Sequence, residues 1–577
     1  MTLWGVTLIT KKLNSGSFQF LDLFLWACTS VLALSVRPLW EPDEARYAEI
    51  AREMVSTGDW LVPHLNGVLY FEKPPLQYWL SAIPIEIFGP TDWAPRVPLV
   101  IAIGLCVWAS RKITRLLNPS SLGWPTLALL TSLMGFTMSQ ILTLDALFTS
   151  FLMMALALFL ESETSENIQP RLKIMGVWLF LGLAFLTKGP AALVLFMGML
   201  VAYGLIYFGG LDSLRLVNKL IRWDGILLFI IVVFPWFWKI NQLHPGHSYF
   251  FFIYENFIRY TTNEHARQGS DIWILDKSYF IFFLIAGLLP WTRFTLVGLW
   301  EMRSILLNRE FKSHNDSNHI RRLLFIFSFW ILAFFSLSGS KLAPYIYPVL
   351  LPLLILVTTH ESSDSVPQKQ TFIGSELIIL GLLLLIYLCL KLSHVPSFYL
   401  VFTLLLTFVF VGSFLWIARR PSTNTLAVIL LLPMMSLLFS LHLLSNYIAP
   451  QSVKQWVVSS PKETEWLSLG TYFQGITYYS QKPCRVIAGT GELRFGKNKL
   501  PTNKAALQFY EDLDQLQKAL EDTQRSNPGV PIRMIAKAKI WRLVPQELRE
   551  RWMIIDESRG INLLLAPLDS TNPALPR

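Results

Sequence analysis

Residues 142–160 read LTLDALFTSFLMMALALFL, an apolar run whose one charge is Asp145. A spanning helix needs roughly 20 predominantly apolar residues to cross a hydrocarbon layer of roughly 30 Å, and this run has that character. Outward from it, further apolar runs lie at 18–36, 93–110, 122–139, 173–187, 190–208, 224–239, 278–299, 322–338, 344–358, 373–392, 398–418 and 424–445. Together they predict about 13 transmembrane helices. The whole chain has 577 residues, 53% of them hydrophobic and only 15% charged, with a mean hydropathy of +0.45. A soluble chain carries about 25% charged residues. The composition therefore excludes a soluble enzyme, a disordered chain and a fibrous protein, and it predicts a mainly α, polytopic membrane protein.

Net charge is +10, from 49 Lys+Arg against 39 Asp+Glu. Much of the excess sits in short loops between apolar runs, where it sets topology; no nucleic-acid-binding module is visible. With the N-terminus inside, the inner loops hold Arg111, Lys112 and Arg115; Arg215, Lys219 and Arg222; Arg303, Arg309, Lys312, Arg321 and Arg322; and Arg419 and Arg420. Thirteen spans then place the C-terminus outside. The first run, preceded by Lys11 and Lys12, reads as an uncleaved anchor. Cys28, Cys106 and Cys389 fall in apolar runs, Cys484 lies in the tail, and there is no CxxC. A disulfide framework or a cysteine zinc site is not expected.

The hydropathy pattern ends near residue 445, which divides the chain into a membrane domain, 1–445, and a soluble C-terminal α/β domain, 446–577. In the tail, Ala505–Arg525 predicts an amphipathic helix, and Thr471–Tyr479, Arg533–Ile540 and Ile561–Ala566 predict strands. No tandem repeat is apparent.

Chemistry-bearing residues gather at one rim of the predicted bundle. In the first outer loop, Glu41-Pro42-Asp43-Glu44-Ala45-Arg46-Tyr47 opens an amphipathic helix expected to lie along the membrane surface. Asp43 and Arg46, three apart, can share a face; alternatively Asp43 is only a helix cap. Phe71-Glu72-Lys73-Pro74-Pro75 starts a second surface helix, unless it is simply an interfacial aromatic anchor with a snorkelling lysine. Asp145 is costly inside a span unless it faces protein or a cavity; the plainer reading is a carboxylate complementing a helix start. Lys188, the group Glu255, Arg259, His265 and Arg267, and the stretch Ser338-Gly339-Ser340-Lys341-Leu342-Ala343-Pro344-Tyr345 fall on the same side. Cations there can hold a lipid phosphate. Carboxylates can handle a hydroxyl, a sugar or a metal ion.

At these motifs the chain resembles the polyprenyl-phosphate-dependent glycosyltransferases related to protein O-mannosyltransferases, of GT-C architecture. Within them it is most similar to the bacterial branch that transfers 4-amino-4-deoxy-L-arabinose to lipid A. The stretches that carry the resemblance are Pro42–Tyr47, Phe71–Leu76, Leu144-Asp145, Phe185–Pro190, Ser338–Tyr345 and the tail segment Gly491-Glu492-Leu493-Arg494-Phe495-Gly496. It implies an inverting transfer from an undecaprenyl-phosphate-linked sugar donor to lipid A or a similar acceptor, at the periplasmic face of the bacterial inner membrane, by a monomer. It also implies Asp43 and Asp145 as catalytic acids. Arg46, Glu72, Lys73, Arg259, Arg267 and Tyr345 become donor- and phosphate-binding residues, with Lys188, His265 and Lys341 as further candidates. One departure is Ala45, where threonine is frequent. If the acceptor is a lipid A phosphate, it needs no strong base; if it is a hydroxyl, Asp43 is the natural general base. A divalent metal among Asp43, Glu72 and His265 stays open, as do transfer to a protein or glycan hydroxyl and a lipid or sugar transporter.

Overall fold

The computed structural model describes residues 21–34, 37–163, 169–208, 214–261, 273–307, 317–360, 452–558 and 561–566. The predicted spans 373–392, 398–418 and 424–445 lie outside them, as do His265 and Arg267. The chain forms two compact units. One holds Met1–Ser35 with Arg96–Ser445, the other Val36–Pro95 with Asn446–Arg577. A division by sequence order at 445/446 thus misplaces residues 36–95. They leave the hydrophobic run and pack with the tail.

Among the described residues of the first unit, five helices are long and apolar enough to cross a membrane, six if one bent pair counts as a span. They include Leu144–Glu163, Pro170–Lys188, Trp223–Leu243 and Ser317–Leu337. Leu144–Glu163 is the most enclosed and packs against Val97–Leu117 and Pro170–Lys188. Its burial on every side explains why the 142–160 run shows no polar face.

Two predicted spans are broken. The run 122–139 is two short helices, Trp124–Thr131 and Leu133–Gln140. Ser132 between them is extended, and its hydroxyl accepts the Gly135 N–H at 3.2 Å, so it caps the second helix. The run 278–299 bends by 107° between Asp276–Gly287 and Thr292–Glu301. Pro290, without an N–H and with a ring that crowds the preceding turn, sits at the bend. Asp22, inside the first span, pairs with Arg111 at 2.6 Å.

The second unit is built on a six-stranded sheet in the order Phe509–Tyr510, Arg485–Ile487, Glu465–Leu469, Ile532–Lys537, Ile561–Leu565, Met553–Ser558. The first four strands are parallel and the last two join antiparallel. Leu467, Leu469, Ile487, Met534 and Leu564 form its core. Glu465–Leu469 is buried along nearly its whole length, as a central parallel strand must be. The predicted strand Ile561–Ala566 is present. Arg533–Ile540 turns helical after Lys537. The helix expected over Ala505–Arg525 is two, Thr502–Gln508 and Leu516–Ser526, with a strand between them.

Thr471–Tyr479, expected as a strand, folds into the Gln474–Ser480 helix. The reason is tertiary: its first N–H groups, from Gln474 and Gly475, donate to the Glu41 carboxylate at 3.0 and 2.5 Å. No disulfide joins Cys28, Cys106 or Cys484.

Candidate active site

The first-loop helix runs Asp43–Thr57 and ends in a left-handed Gly58. It is not a surface helix with a wet polar side, because Glu44 through Met54 are buried. It packs against Leu76–Phe88 and Gln474–Ser480. Its polar side is satisfied internally. Arg37 binds Glu44 bidentately at 2.7 and 2.8 Å, Arg52 binds Glu49 likewise, and Glu53 accepts the Gly67 N–H. Burial and the neighbouring Glu49 push the Glu53 carboxyl well up. Leu76–Phe88 keeps an exposed apolar side with Ile83, Ile87 and Phe88, which suits an interfacial helix.

Asp43 does not cap its helix. The cap position is Pro42, without a side-chain bond, and the Asp43 carboxylate takes a hydrogen bond from Arg46 instead. A second terminal nitrogen of Arg46 donates to Glu492, whose other oxygen accepts the Gln474 side-chain amide. The guanidinium lies 5.1 Å from the Tyr47 ring centroid. Burial, with Glu72 and Glu492 nearby, raises the Tyr70 phenol well above its usual range. Arg46, Glu72, Glu492, Tyr70 and Tyr78 thus share one electrostatic neighbourhood. The Lys73 ammonium donates to the Glu72 carbonyl at 2.8 Å. Glu41 is held by tail N–H groups, yet burial lifts its carboxyl to about 8.

The bundle unit holds a different cluster. Asp145 accepts a hydrogen bond from Lys188, the last residue of its helix. That ammonium lies 4.3 Å from the Tyr345 ring centroid and also faces Phe148 and Phe335. An intramembrane acid, a lysine and three aromatic rings share one site, a cation–π box around an ion pair. Lys341 is fully buried and reaches Asp276 at 3.3 Å and the Ser338 carbonyl. Arg259 is buried against Glu255 at 2.6 Å.

The structure therefore brings Asp43 to Arg46, and Asp145, Lys188 and Tyr345 together. It adds Glu492 and Asp276, which were not among the candidates. The signal for Glu492 was present in Gly491–Gly496; Asp276 had none. Among the described residues no three His, Cys, Asp or Glu side chains gather to hold a metal ion.

Residues 19–251 match the family of dolichyl-phosphate-mannose-protein mannosyltransferases. The fold is that of ArnT from Cupriavidus metallidurans, whose crystal structure bound to undecaprenyl phosphate superposes with a TM-score of 0.75 at 23% identity, covering 95% of this chain and 97% of that one. The family match and the shared fold make the chain similar to the protein O-mannosyltransferase-like membrane proteins of GT-C architecture. The chain is also similar to the undecaprenyl phosphate-alpha-4-amino-4-deoxy-L-arabinose arabinosyl transferases. That of Yersinia enterocolitica is 31% identical over 362 residues, 60% of each chain. That of Aeromonas salmonicida is 33% identical over 337 residues, 57% of each. The matched stretches span about three-fifths of the length of these relatives.

Proposed function

We propose that the protein is an inverting glycosyltransferase that moves 4-amino-4-deoxy-L-arabinose from undecaprenyl phosphate to lipid A at the periplasmic face of the inner membrane. The observation that carries this reading is the Asp145–Lys188 pair against Tyr345. Two charges among apolar helices are expensive to keep, and a lipid phosphate can compete with Asp145 for the Lys188 ammonium. The names of the relatives supply the sugar and the carrier.

In the proposed reaction an acceptor phosphate oxygen attacks the anomeric carbon. The bond from that carbon to the carrier phosphate breaks, and undecaprenyl phosphate leaves with the electron pair. Lys188, with Arg259 of the same unit, stabilises the charge that develops on the leaving phosphate. Asp43 positions the acceptor or stabilises positive charge on the sugar. Asp145, once displaced from Lys188, is free to hold a sugar hydroxyl or amine. The basic inner loops support thirteen spans with the N-terminus cytoplasmic and the C-terminus periplasmic.

The test is mass spectrometry of lipid A from cells with and without the protein, with transfer by purified protein from the undecaprenyl-phosphate-linked sugar alongside. Aminoarabinose-substituted lipid A should appear only with the protein; unchanged lipid A would overturn the reading. The match to protein mannosyltransferases over 19–251 favours one second reading, transfer to a protein hydroxyl with Asp43 as base.

A further inference from the structure

The tail motif Gly491–Gly496 plays no part in the reaction just described, yet it is fitted to the first loop along its length. Glu492 takes a hydrogen bond from Arg46. Phe495 meets Phe71 edge-on, with ring centroids 5.7 Å apart. Gly496 lies so close to Leu69 that a Cβ there would fall into the Leu69 backbone. Within this unit the polar groups form one chain: the Gln474 amide donates to Glu492, Arg46 donates to Glu492, and Arg46 donates to Asp43.

Exposure differs sharply along that chain. The Arg46 side chain is 5% exposed and Glu492 12%, whereas Asp43 is 43% exposed. Only the Asp43 end opens outward. Arg46 faces two carboxylates with its one positive charge, so its anion-binding capacity is already taken up by the protein. Its Nε is buried with no partner among the described residues. A long side chain held from two sides has one arrangement, and it passes that order to the carboxylate in front of it.

We infer that Glu492, backed by Gln474, is a positioning residue that orients Asp43 through Arg46, so that the tail sets the geometry of the first-loop acid; this deepens the glycosyltransferase reading above and rests on it. Arg46 is then an alignment device for Asp43 rather than a direct phosphate ligand. The physical case is pre-organisation: a reacting carboxylate held in one rotamer needs no search at the transition state.

The experiment uses the full-length protein in detergent, with the undecaprenyl-phosphate-linked aminosugar as donor and lipid A as acceptor. Glu492→Gln, which keeps size and removes charge, should lower kcat at least tenfold with both KM values within twofold. Glu492→Asp should recover part of that loss. In an Arg46→Ala background, Glu492→Gln should have little further effect, because both changes break the same chain. Phe495→Leu loosens the docking of the motif without touching the charges. It should lower Tm and cost clearly less in kcat than Glu492→Gln does. If Glu492→Gln does not accumulate, Gln474→Leu replaces it and should lower kcat in the same direction.

A kcat unchanged by Glu492→Gln or its replacement, an effect undiminished by Arg46→Ala, or an equal kcat loss in Phe495→Leu would each overturn the positioning role. No transfer by the wild-type protein would instead overturn the glycosyltransferase reading itself.

Discussion

The two units handle charge in opposite ways. In the helical bundle, Asp145 has one cation among the described residues, Lys188, walled by Phe148, Phe335 and Tyr345. In the loop-and-tail unit, Asp43 stands at the head of a network through Arg46, Glu492 and Gln474, beside buried carboxylates at Glu44, Glu49 and Glu53 and the half-buried Glu41. Apolar helices offer few polar partners, so a charge there must find one complementary charge. A sheet-and-helix unit supplies N–H groups and amides, so its carboxylates are shared out among many donors. The first arrangement is simple and open to exchange with a ligand. The second is rigid and suited to holding one side chain in place.

That contrast can be broken in four ways. Lys188→Met should destabilise the protein by about 3–5 kcal/mol, since it strands a buried carboxylate, and it should abolish transfer. The double change Lys188→Met, Asp145→Leu should restore Tm while transfer stays lost. A double variant as unstable as the single one would show that the pair does not act alone. In the other unit, Asp43→Asn should cost on the order of 10²-fold in kcat at normal expression, measured in a membrane transfer assay. Because Asp43 makes no cap bond, Tm should hardly move; a stability loss with normal activity would reverse the assignment.

Lys73→Ala should raise the donor KM or lower kcat by a factor equivalent to about 1.5–3 kcal/mol, the worth of one charge-assisted phosphate contact. Unaltered donor kinetics would remove Lys73 from the phosphate site. The last test is of pH dependence, at Glu41. Its carboxyl titrates near 8 when folded, against the usual range near 4.5 when unfolded. Between those values the folded state binds more protons, so stability falls as pH rises through that window. Melting temperatures measured from pH 5 to 9 should decline for the wild type and be flatter for Glu41→Gln. Parallel profiles would place the titrating group elsewhere.

Much of the bundle was legible because lipid demands long apolar runs, and residues 142–160, 173–187 and 322–338 each mark a helix the structure contains. Breaks in such runs were not legible. Ser132 reads as one more small residue in an apolar helix, and only its hydroxyl contact to Gly135 shows a cap. The Asp43–Arg46 pair was legible because residues three apart on a helix share a face. The helix at Gln474–Ser480 was misread as a strand because its start depends on Glu41, far away in sequence.

By itself the sequence determined the membrane class, the one-sided gathering of acids and cations, and the motifs that resemble a glycosyltransferase family. These rest on local properties: hydropathy over about 20 residues and spacing within one helical turn. Tertiary structure alone decided that residues 36–95 pack with the tail and not with the helices beside them in the chain. It alone decided that Arg46 pairs with Glu492, 446 residues away. The reason is that a charge carries no label for its partner. Thirty-nine acids compete for forty-nine cations, and which of them meet follows from which apolar surfaces are buried together.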